Sequence, residues 1–350
     1  MPLNRRAFLG GTLTAGALLF LGRQASAADI HRARWYLFGT LVDVEIVEND
    51  RAKAQRVLAD LVTLLRGAHT QWHAWKPGEL NDLNQALAQG ESFVVDDPHL
   101  LKLIHGVREL HASSGGLFNP AIGRVVRLWG FHDDELPKGQ PPAIRQIEQL
   151  MADAPSPAAL RVEGRRVSSD NRSVQLDLGG YAKGYALGLA TDFLKQQGIE
   201  GAIVNAGGDL SAIGRHPSRA WRIGVRHPQR RGSAASIETH GHEAIMTSGN
   251  YERYRSHQGK RYPHIIDPRT GLPADQLASV TVVHPDAGLA DAAATAISVA
   301  GEHHWPEVAA AFGVDQVMVI DNGGRVQLTR PMAERLSLSN ADQRHAAIIA

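Results

Sequence analysis

The sequence of 350 residues contains no cysteine. This absence excludes disulfide bonds, thiolate metal sites, iron–sulfur clusters and cysteine nucleophiles within the chain. Any bound metal must therefore be held by oxygen or imidazole ligands, and oxygen ligands suit Mg²⁺ or Ca²⁺.

Long runs of one charge are also absent. The chain has 37 Lys and Arg against 36 Asp and Glu, and no block of five or more basic residues. Proteins that bind nucleic acid usually carry a basic patch or stripe, so we expect no nucleic-acid partner. The composition, 43% hydrophobic and 21% charged, is that of an ordinary globular protein, and the length allows one large domain or two small ones.

Three common catalytic or nucleotide-binding motifs are missing. No Gly-x-Ser-x-Gly elbow surrounds Ser248, which argues against serine hydrolysis. The spacing of Gly179 and Gly184 is that of a P-loop, but Tyr185 stands where the P-loop requires lysine. No Gly-x-Gly-x-x-Gly fingerprint occurs, so neither standard nucleotide motif is supported.

Residues 1–27 form a predicted export leader. Arg5-Arg6 precede an apolar run from Ala7 to Leu21, and Ala25-Ser26-Ala27 is a small-residue cleavage site. An arginine pair followed by Phe-Leu is typical of twin-arginine signals. The apolar run, about 15 residues, is shorter than the roughly 20 that span a bilayer, and an uncleaved membrane anchor is the alternative. We therefore expect a periplasmic protein, free or peripheral to the membrane, whose mature part is 28–350.

The mature sequence mixes helical and strand patterns without a regular βαβ repeat. Apolar residues at helical spacing predict helices over 51–72, 98–113, 144–151, 182–197 and 289–300. Residues 35–47 are predicted as a strand pair or as one strand bent at Gly39. Further strands are predicted over 174–178, 201–205, 221–225 and 280–283, and in a hairpin over 317–328. This mixture favours an α+β fold with mixed, largely antiparallel sheets and packed helices. The polar stretch 132–142 predicts a surface connection and an internal seam.

Two glycine-rich segments follow predicted strands. The segment DLGGYAKGY, residues 177–185, leads from a strand through paired glycines into a helix. Free backbone N–H groups and the helix dipole favour an anion such as phosphate at that position. A tight strand–helix turn packed by glycine is an equally good interpretation of this segment alone. The segment NAGGD, residues 205–209, is by itself more typical of a hairpin bend.

His264 and the pair Asp291 and Thr295 are candidates for chemistry. His264 lies near Asp267 in the segment YPHIIDPRTG, and a histidine with a nearby carboxylate can act as a general base. Most of the 17 histidines must be structural, so this pattern alone is weak support. Asp291 and Thr295 are four residues apart in an alanine-rich helix, so their oxygens share one face and suit Mg²⁺. Local capping is the alternative interpretation of the pair.

Considered together and in this order, these segments resemble the ApbE family, the FAD:protein FMN transferases. The resemblance covers nearly all of the mature chain and is carried by FGT at 38–40, GLFNP at 116–120, LWGF at 128–131, DLGGYAKGY at 177–185, NAGGD at 205–209, WRIGVRHP at 221–228, TSGNY at 247–251, HIIDPRTG at 264–271 and ADAAAT at 290–295. It implies one ApbE-like, T-fold-related α+β domain over 28–350.

The resemblance also implies a role for each candidate residue. Asp291, Thr295 and the main-chain carbonyl of Gly180 would bind Mg²⁺, with Mn²⁺ as the alternative, together with phosphates of the substrate FAD. His264 would take the proton from a threonine or serine hydroxyl as that hydroxyl attacks the FMN phosphorus of FAD, and AMP would leave. The implied FAD contacts are Phe38, Trp75, Leu117, Phe118, Asn119, Asp177, Lys183, Ser248 and Ile265.

The resemblance implies an acceptor flavoprotein that carries the motif Asp-x-x-(Ser/Thr)-Gly-Ala-(Ser/Thr). This motif does not occur in the present sequence, so the expected target is another protein and not the chain itself.

The sequence departs from the family pattern on the flavin side. Phe38 replaces the usual methionine before Gly-Thr, Asn119 replaces the usual carboxylate after Gly-x-Phe, and Gly188 replaces a common aspartate. The segment around Trp75 is shortened, so the assignment of Trp75 depends on the alignment. Two other functions stay open: an FAD pyrophosphatase that gives FMN and AMP, and a non-catalytic flavin-binding accessory or electron-transfer protein. The intact His264 argues against the second, because binding alone needs no base.

Overall fold

The computed structural model describes residues 29–133 and 135–349, and the predicted leader lies outside them. The strands are β1 (Ile30–Leu37), β2 (Thr40–Val47), β3 (Phe93–Val94), β4 (Leu160–Glu163), β5 (Arg166–Ser169), β6 (Gly201–Ala206), β7 (Asp209–Ile213), β8 (Arg222–Arg226), β9 (Ser233–Glu238), β10 (Glu243–Gly249), β11 (Tyr254–His257), β12 (Lys260–Pro263), β13 (Leu277–His284), β14 (Gln316–Asp321), β15 (Val326–Thr329), β16 (Leu336–Leu338) and β17 (Ala346–Ile349). The α-helices are α1 (Arg51–Gln71), α2 (Glu79–Gln89), α3 (Pro98–Ser113), α4 (Gly123–Trp129), α5 (Ile144–Met151), α6 (Ala182–Gln196), α7 (Ala287–Ala300), α8 (Trp305–Phe312) and α9 (Arg330–Arg335).

A nine-stranded sheet forms the centre of the fold. Its strand order is β1-β2-β6-β7-β10-β13-β14-β15-β17. Neighbouring strands are antiparallel except β15 and β17, which are parallel. Smaller sheets, β11-β12, β16-β9-β8 and β3-β5-β4, surround it. Largely antiparallel sheets with packed helices confirm the predicted α+β class.

The middle strands of this sheet are covered on both faces, which explains their continuous apolar sequences. Side chains alternate between the two faces of a strand. On β10, Ala244 and Met246 pack into a core shared with α1, α6 and α7. Ile245 packs on the opposite face with residues of β8 and β9. The central strands therefore lie between a layer of helices and a layer formed by the three-stranded sheet β16-β9-β8.

Helix α7 packs against β10 and β13 on one side and against α6 and α8 on the others. Its sequence, AGLADAAATAISVA, consists mostly of small residues, which allow α6 to approach closely. A Cβ on Gly184 of α6 would lie 2.3 Å from the carbonyl oxygen of Ala287 and 2.6 Å from the Cβ of Asp291. Glycine is therefore required at position 184, and the first turn of α6 lies directly against α7.

Most of the predicted elements are confirmed, with ends shifted by a few residues. The strand predicted at 174–178 is wrong, because Gln175 forms only an isolated bridge with Ile122. The main-chain N–H groups of Gln175 and Asp177 donate to the carbonyls of Ala121 and Pro120, respectively. The segment is thus extended but pairs with a loop, so it does not join a regular ladder.

The connection between α4 and α5 contains the stretch 132–142 that was predicted as a seam. The division of the domain at this seam stays a prediction. Within residues 29–133 and 135–349, no helix is both long enough and apolar enough to cross a membrane.

Candidate active site

A cavity of about 500 Å³ opens where the β1–β2 turn, the end of β10, the start of α6 and the segment after β12 meet. Every site residue predicted from the sequence lines this one cavity, although their positions span most of the chain. These residues are Phe38, Trp75, Leu117, Phe118, Asn119, Asp177, Gly180, Lys183, Ser248, His264, Ile265, Asp291 and Thr295. The structure thus brings the predicted residues together, and their individual roles stay predictions.

Asp291 and Thr295 of α7 lie against the segment in which α6 begins. Oδ2 of Asp291 accepts a hydrogen bond from the backbone N–H of Gly184 at 2.9 Å. Thr295 lies one helical turn further along α7, and a Cβ on Gly180 would be 2.9 Å from its Oγ1. In the described chain, neither Oδ1 of Asp291 nor the hydroxyl of Thr295 takes part in a hydrogen bond. Oxygen atoms of both side chains are therefore available to a ligand.

The charge at Asp291 fits a divalent cation. Burial raises the pKa of Asp291 to about 7, the carboxylate of Asp209 acts in the same direction, and Lys183 opposes both. Lys183, which is shared with Asp209, thus compensates the buried carboxylate only in part, and a bound cation would supply further positive charge. Among the described residues, no group of three or more His, Asp or Glu side chains forms a metal site. One carboxylate, one hydroxyl and one carbonyl fit Mg²⁺, which keeps waters or substrate phosphates as its other ligands.

Lys183 forms an ion pair with Asp209, a residue that the sequence did not identify as part of the site. Oδ1 of Asp209 also accepts a hydrogen bond from the backbone N–H of Thr247 at 2.7 Å, so Asp209 joins α6 to β10. Burial alone would lower the pKa of Lys183, but the carboxylates of Asp209 and Asp291 outweigh it, and the pKa is raised. Lys183 is therefore charged and already neutralised by protein carboxylates. The only sequence signal for Asp209 was the NAGGD segment, which resembled an ordinary bend.

Of the two interpretations of the segment 177–185, an anion site and a tight strand–helix turn, the backbone hydrogen bonds at 179–182 favour the turn. The N–H of Gly179 donates to Oδ1 of Asp177 at 2.9 Å. The N–H groups of Tyr181 and Ala182 both donate to the carbonyl of Leu178, at 2.9 Å and 2.8 Å. The segment therefore behaves mainly as a tight turn, and compensation for a bound phosphate must come largely from other groups.

His264 is oriented by the main chain of Arg253. Its backbone N–H donates to the carbonyl oxygen of Arg253 at 3.1 Å, and its Nδ1 lies 3.2 Å from the same oxygen. Because a carbonyl only accepts, Nδ1 carries the hydrogen and Nε2 of the neutral ring keeps its lone pair. Burial, reinforced by the positive charge of Arg253, lowers the pKa of His264 to about 4. The ring is therefore a neutral proton acceptor at physiological pH.

Asp267, the carboxylate expected to assist His264, has a different partner. Its two carboxylate oxygens accept hydrogen bonds from the guanidinium of Arg269 at 2.7 to 3.2 Å. The interpretation of His264 and Asp267 as an acid–base pair is therefore wrong, and the carbonyl of Arg253 takes the orienting position.

The aromatic side of the cavity is held by specific polar contacts. The indole Nε1–H of Trp75 donates to Oδ2 of Asp177 at 3.2 Å, which places Trp75 in the wall despite the shortened segment around it. Nδ2 of Asn119 donates to the carbonyl of Pro155 at 2.9 Å, and its Oδ1 accepts from the N–H of Ala121 at 3.0 Å. A carboxylate has no hydrogen to donate to the carbonyl of Pro155. This hydrogen bond therefore explains why position 119 has an amide in place of the usual carboxylate.

Phe38 occupies a strained turn at the cavity edge. The pairing of Leu37 with Thr40 leaves Phe38 and Gly39 as a two-residue turn. Both have positive φ, 54° and 70°, as a type I′ hairpin requires. Phe38 is a costly residue for the left-handed region, where Asn or Gly is normal. Its ring lies edge-on to His69, with centroids 5.5 Å apart.

Several further cavity residues were not identified as site residues from the sequence, although Thr40 and Thr247 lie in the motifs FGT and TSGNY. They are Thr40, His69, His73, His132, Asp133, Thr247, Glu252 and Arg253. Their side chains become neighbours only when turns and loops distant in sequence are brought together by the central sheet.

Comparison with known proteins agrees with this architecture. The model of the ApbE family matches residues 38–318. The chain is 44% identical over 340 residues to an FAD:protein FMN transferase of Rhodobacter capsulatus, covering 95% of this chain but 64% of that relative, less than two thirds of its length. It is 31% identical over 315 residues to an FAD:protein FMN transferase of Vibrio cholerae, covering 87% of this chain and 92% of the relative.

Solved structures give the same result. The ApbE protein of Thermotoga maritima superimposes with a TM-score of 0.80 at 28% identity, covering 88% of this chain and 99% of the other. The flavin transferase ApbE of Vibrio cholerae gives a TM-score of 0.78 at 28% identity, with the same coverage. Sequence, architecture and cavity together show that this chain belongs to the ApbE family.

Proposed function

We propose that this protein is an FAD:protein FMN transferase. One observation carries the proposal: the neutral base His264 and the oxygen donors Asp291 and Thr295 line the same cavity. A base and a cation site in one cavity fit phosphoryl transfer to a hydroxyl, whereas a flavin carrier needs neither. The names of the relatives from Rhodobacter capsulatus and Vibrio cholerae support the same activity.

In the proposed reaction, a threonine or serine hydroxyl of the acceptor attacks the FMN phosphorus of FAD. The new bond joins the acceptor oxygen to phosphorus, and the bond from phosphorus to the bridging pyrophosphate oxygen breaks, so AMP leaves with the electron pair. Nε2 of His264 accepts the hydroxyl proton, because Nδ1 is held at the carbonyl of Arg253. The neutral state of His264 allows this step without prior deprotonation.

The residues Asp291 and Thr295, with the carbonyl of Gly180, would hold Mg²⁺, with Mn²⁺ as the alternative ion. When bound, such an ion offsets negative charge on the pyrophosphate and favours departure of AMP. The N–H of Gly184 engages Oδ2 of Asp291, so Oδ1 would be the oxygen that holds the ion or one of its waters.

The acceptor is proposed to be a separate flavoprotein with the motif Asp-x-x-(Ser/Thr)-Gly-Ala-(Ser/Thr). The proposed location is the periplasm, reached by twin-arginine export, with peripheral membrane attachment as an additional possibility. The basis for this location is the leader sequence at 1–27 alone.

A product analysis tests the proposed function. The protein is incubated with FAD, Mg²⁺ and a flavoprotein domain that carries the acceptor motif, and both the acceptor mass and free AMP are measured. Transfer predicts an acceptor heavier by one FMN unit and an equal amount of AMP. AMP with free FMN and an unmodified acceptor would indicate the pyrophosphatase, and absence of both products would indicate the carrier.

A further inference from the structure

Two cations line the described part of the cavity, Lys183 and Arg253. Lys183 is ion-paired with Asp209, so its charge is already compensated. Arg253 forms no ion pair with any carboxylate of the described residues, unlike Arg226, which pairs with Glu252 at 2.8 Å. Among the described residues, Arg253 is therefore the cation of the cavity that has no carboxylate partner.

The guanidinium of Arg253 has unused donors. Its Nη2 donates to the carbonyls of Phe131 and Asp133, at 3.1 Å and 2.6 Å. Its Nε is buried and has no hydrogen-bond partner among residues 29–133 and 135–349. An anion is the partner that a guanidinium binds best. Because Nε is closed off and Nη2 is held by the loop, Nη1, which makes no hydrogen bond to the described residues, is the donor left for a ligand.

Arg253 is also fixed relative to the proposed base. Its carbonyl oxygen contacts both the backbone N–H and Nδ1 of His264. A group that binds the phosphoryl oxygens must lie near the base that receives the hydroxyl proton, because both act on the same phosphorus. The main-chain contact holds the backbone of Arg253 at His264, and Nη2 donates to the carbonyl of Phe131, whose ring centroid lies 6.3 Å from that of His264.

We propose that Arg253 is a further catalytic residue, whose guanidinium binds the phosphoryl oxygens of the flavin dinucleotide beside His264. This inference rests on the proposed function, since it assumes that a flavin pyrophosphate occupies the cavity. A fixed guanidinium stabilises the charge that spreads over the oxygens of a phosphoryl group in transfer. It would supply the positive charge that the tight turn at 179–182 and the paired Lys183 do not.

Arg255, two residues further along the chain in β11, provides a matched control. Its guanidinium donates to the carbonyls of Trp129 at 2.8 Å, Lys138 at 2.8 Å and Gln140 at 2.8 Å. It therefore anchors the same connection between α4 and α5 as Arg253 does, but it does not line the cavity. A variant at Arg255 weakens the anchoring without changing the charge at the ligand.

The test compares two flavins that differ in phosphate. FAD and riboflavin are titrated into the full chain by flavin fluorescence, using the wild type, Arg253→Met, Arg253→Lys and Arg255→Met. We expect Arg253→Met to weaken FAD binding by about 10- to 100-fold, the effect of one charged hydrogen bond, and to leave riboflavin binding unchanged. Arg253→Lys should recover part of the loss, and Arg255→Met should change the two affinities by the same factor.

An equal loss of FAD and riboflavin affinity in Arg253→Met, or no loss of either, would overturn the proposal, because Arg253 would then be only a loop anchor. If Arg253→Met does not fold, Arg253→Lys alone decides the test, because it keeps the positive charge but loses the planar fork of the guanidinium. A loss of affinity for FAD, with the affinity for riboflavin unchanged, then supports the proposal. If the wild type binds FAD but modifies no acceptor, the proposed transferase function is refuted. The comparison of FAD and riboflavin affinities still tests the role of Arg253.

Discussion

The backbone N–H of Gly184 donates a hydrogen bond to Oδ2 of Asp291 over 2.9 Å and so joins the first turn of α6 to α7. The contact requires glycine, because a Cβ at position 184 would lie 2.6 Å from the Cβ of Asp291. The position of the proposed metal ligand thus depends on how closely two helices pack.

Gly184→Ala is expected to separate α6 from α7. Overpacking of this kind destabilises by about 1–3 kcal/mol, and the shift should also weaken Mg²⁺ binding. Gly188→Ala is the control, since its Cβ would lie at an ordinary 3.7 Å from the Cβ of Ala287. That variant should gain about 0.5–1 kcal/mol from the helical preference of alanine. Urea unfolding and calorimetric Mg²⁺ titration measure both effects, and equal behaviour of the two variants would refute the packing argument.

Asp291→Asn is expected to lower the transfer activity without lowering the stability of the metal-free protein. The amide keeps the acceptor for the N–H of Gly184 and removes a buried charge whose pKa is raised, so the metal-free protein should be no less stable than the wild type. Transfer should fall on the order of 100-fold or more. Thermal melts with EDTA and with Mg²⁺ test the site, because Mg²⁺ should raise the Tm of the wild type alone. A Tm increase of the same size in Asp291→Asn would contradict the metal assignment.

Phe38→Asn is expected to weaken FAD binding without destabilising the β1–β2 hairpin. Asn tolerates the left-handed region at φ 54°, which offsets the lost packing of the ring. Gln258 is the matched control: it has φ 49° in the two-residue turn between β11 and β12, and it does not line the cavity. Gln258→Asn should raise stability by about 0.5–1 kcal/mol and leave the FAD affinity unchanged. If Phe38→Asn binds FAD as tightly as Gln258→Asn does, then the turn at Phe38 is strained but has no role in FAD binding, which would contradict this prediction.

The activity should be insensitive to mild acid. Because the pKa of His264 is lowered to about 4, the ring stays neutral and able to accept a proton well below pH 6.5. An imidazole with an ordinary pKa would be about 90% protonated at pH 5.5. We therefore expect kcat/KM at saturating Mg²⁺ to change little between pH 7.5 and 5.5 and to fall only as the pH approaches about 4. An acid limb centred near pH 6.5 would show that His264 is not buried as described.

Local sequence patterns predicted the parts of the site that lie on regular elements. Asp291 and Thr295 are both on α7, as the four-residue spacing in an alanine-rich helix indicated. The two strands around Gly39 form the β1–β2 hairpin. Periodicity reports on such positions because helix and strand geometry fixes which side chains share a face.

Contacts between distant segments could not be predicted in this way. Lys183 and Asp209 are 26 residues apart, and their pairing depends on how α6 crosses β7. Arg253 was not identified because one arginine among many has no local pattern that indicates burial beside a cavity. The strand predicted at 174–178 failed for a related reason: its apolar alternation is real, but its hydrogen-bond partner is a loop.

The mass of an acceptor flavoprotein after incubation with FAD and Mg²⁺ tests the central claim most directly. With the wild type, the account predicts a gain of one FMN unit on a threonine or serine of the acceptor, and the parallel reaction with Asp291→Asn should give little or none. An acceptor of unchanged mass in the wild-type reaction, with the FAD intact or split into FMN and AMP, would contradict it.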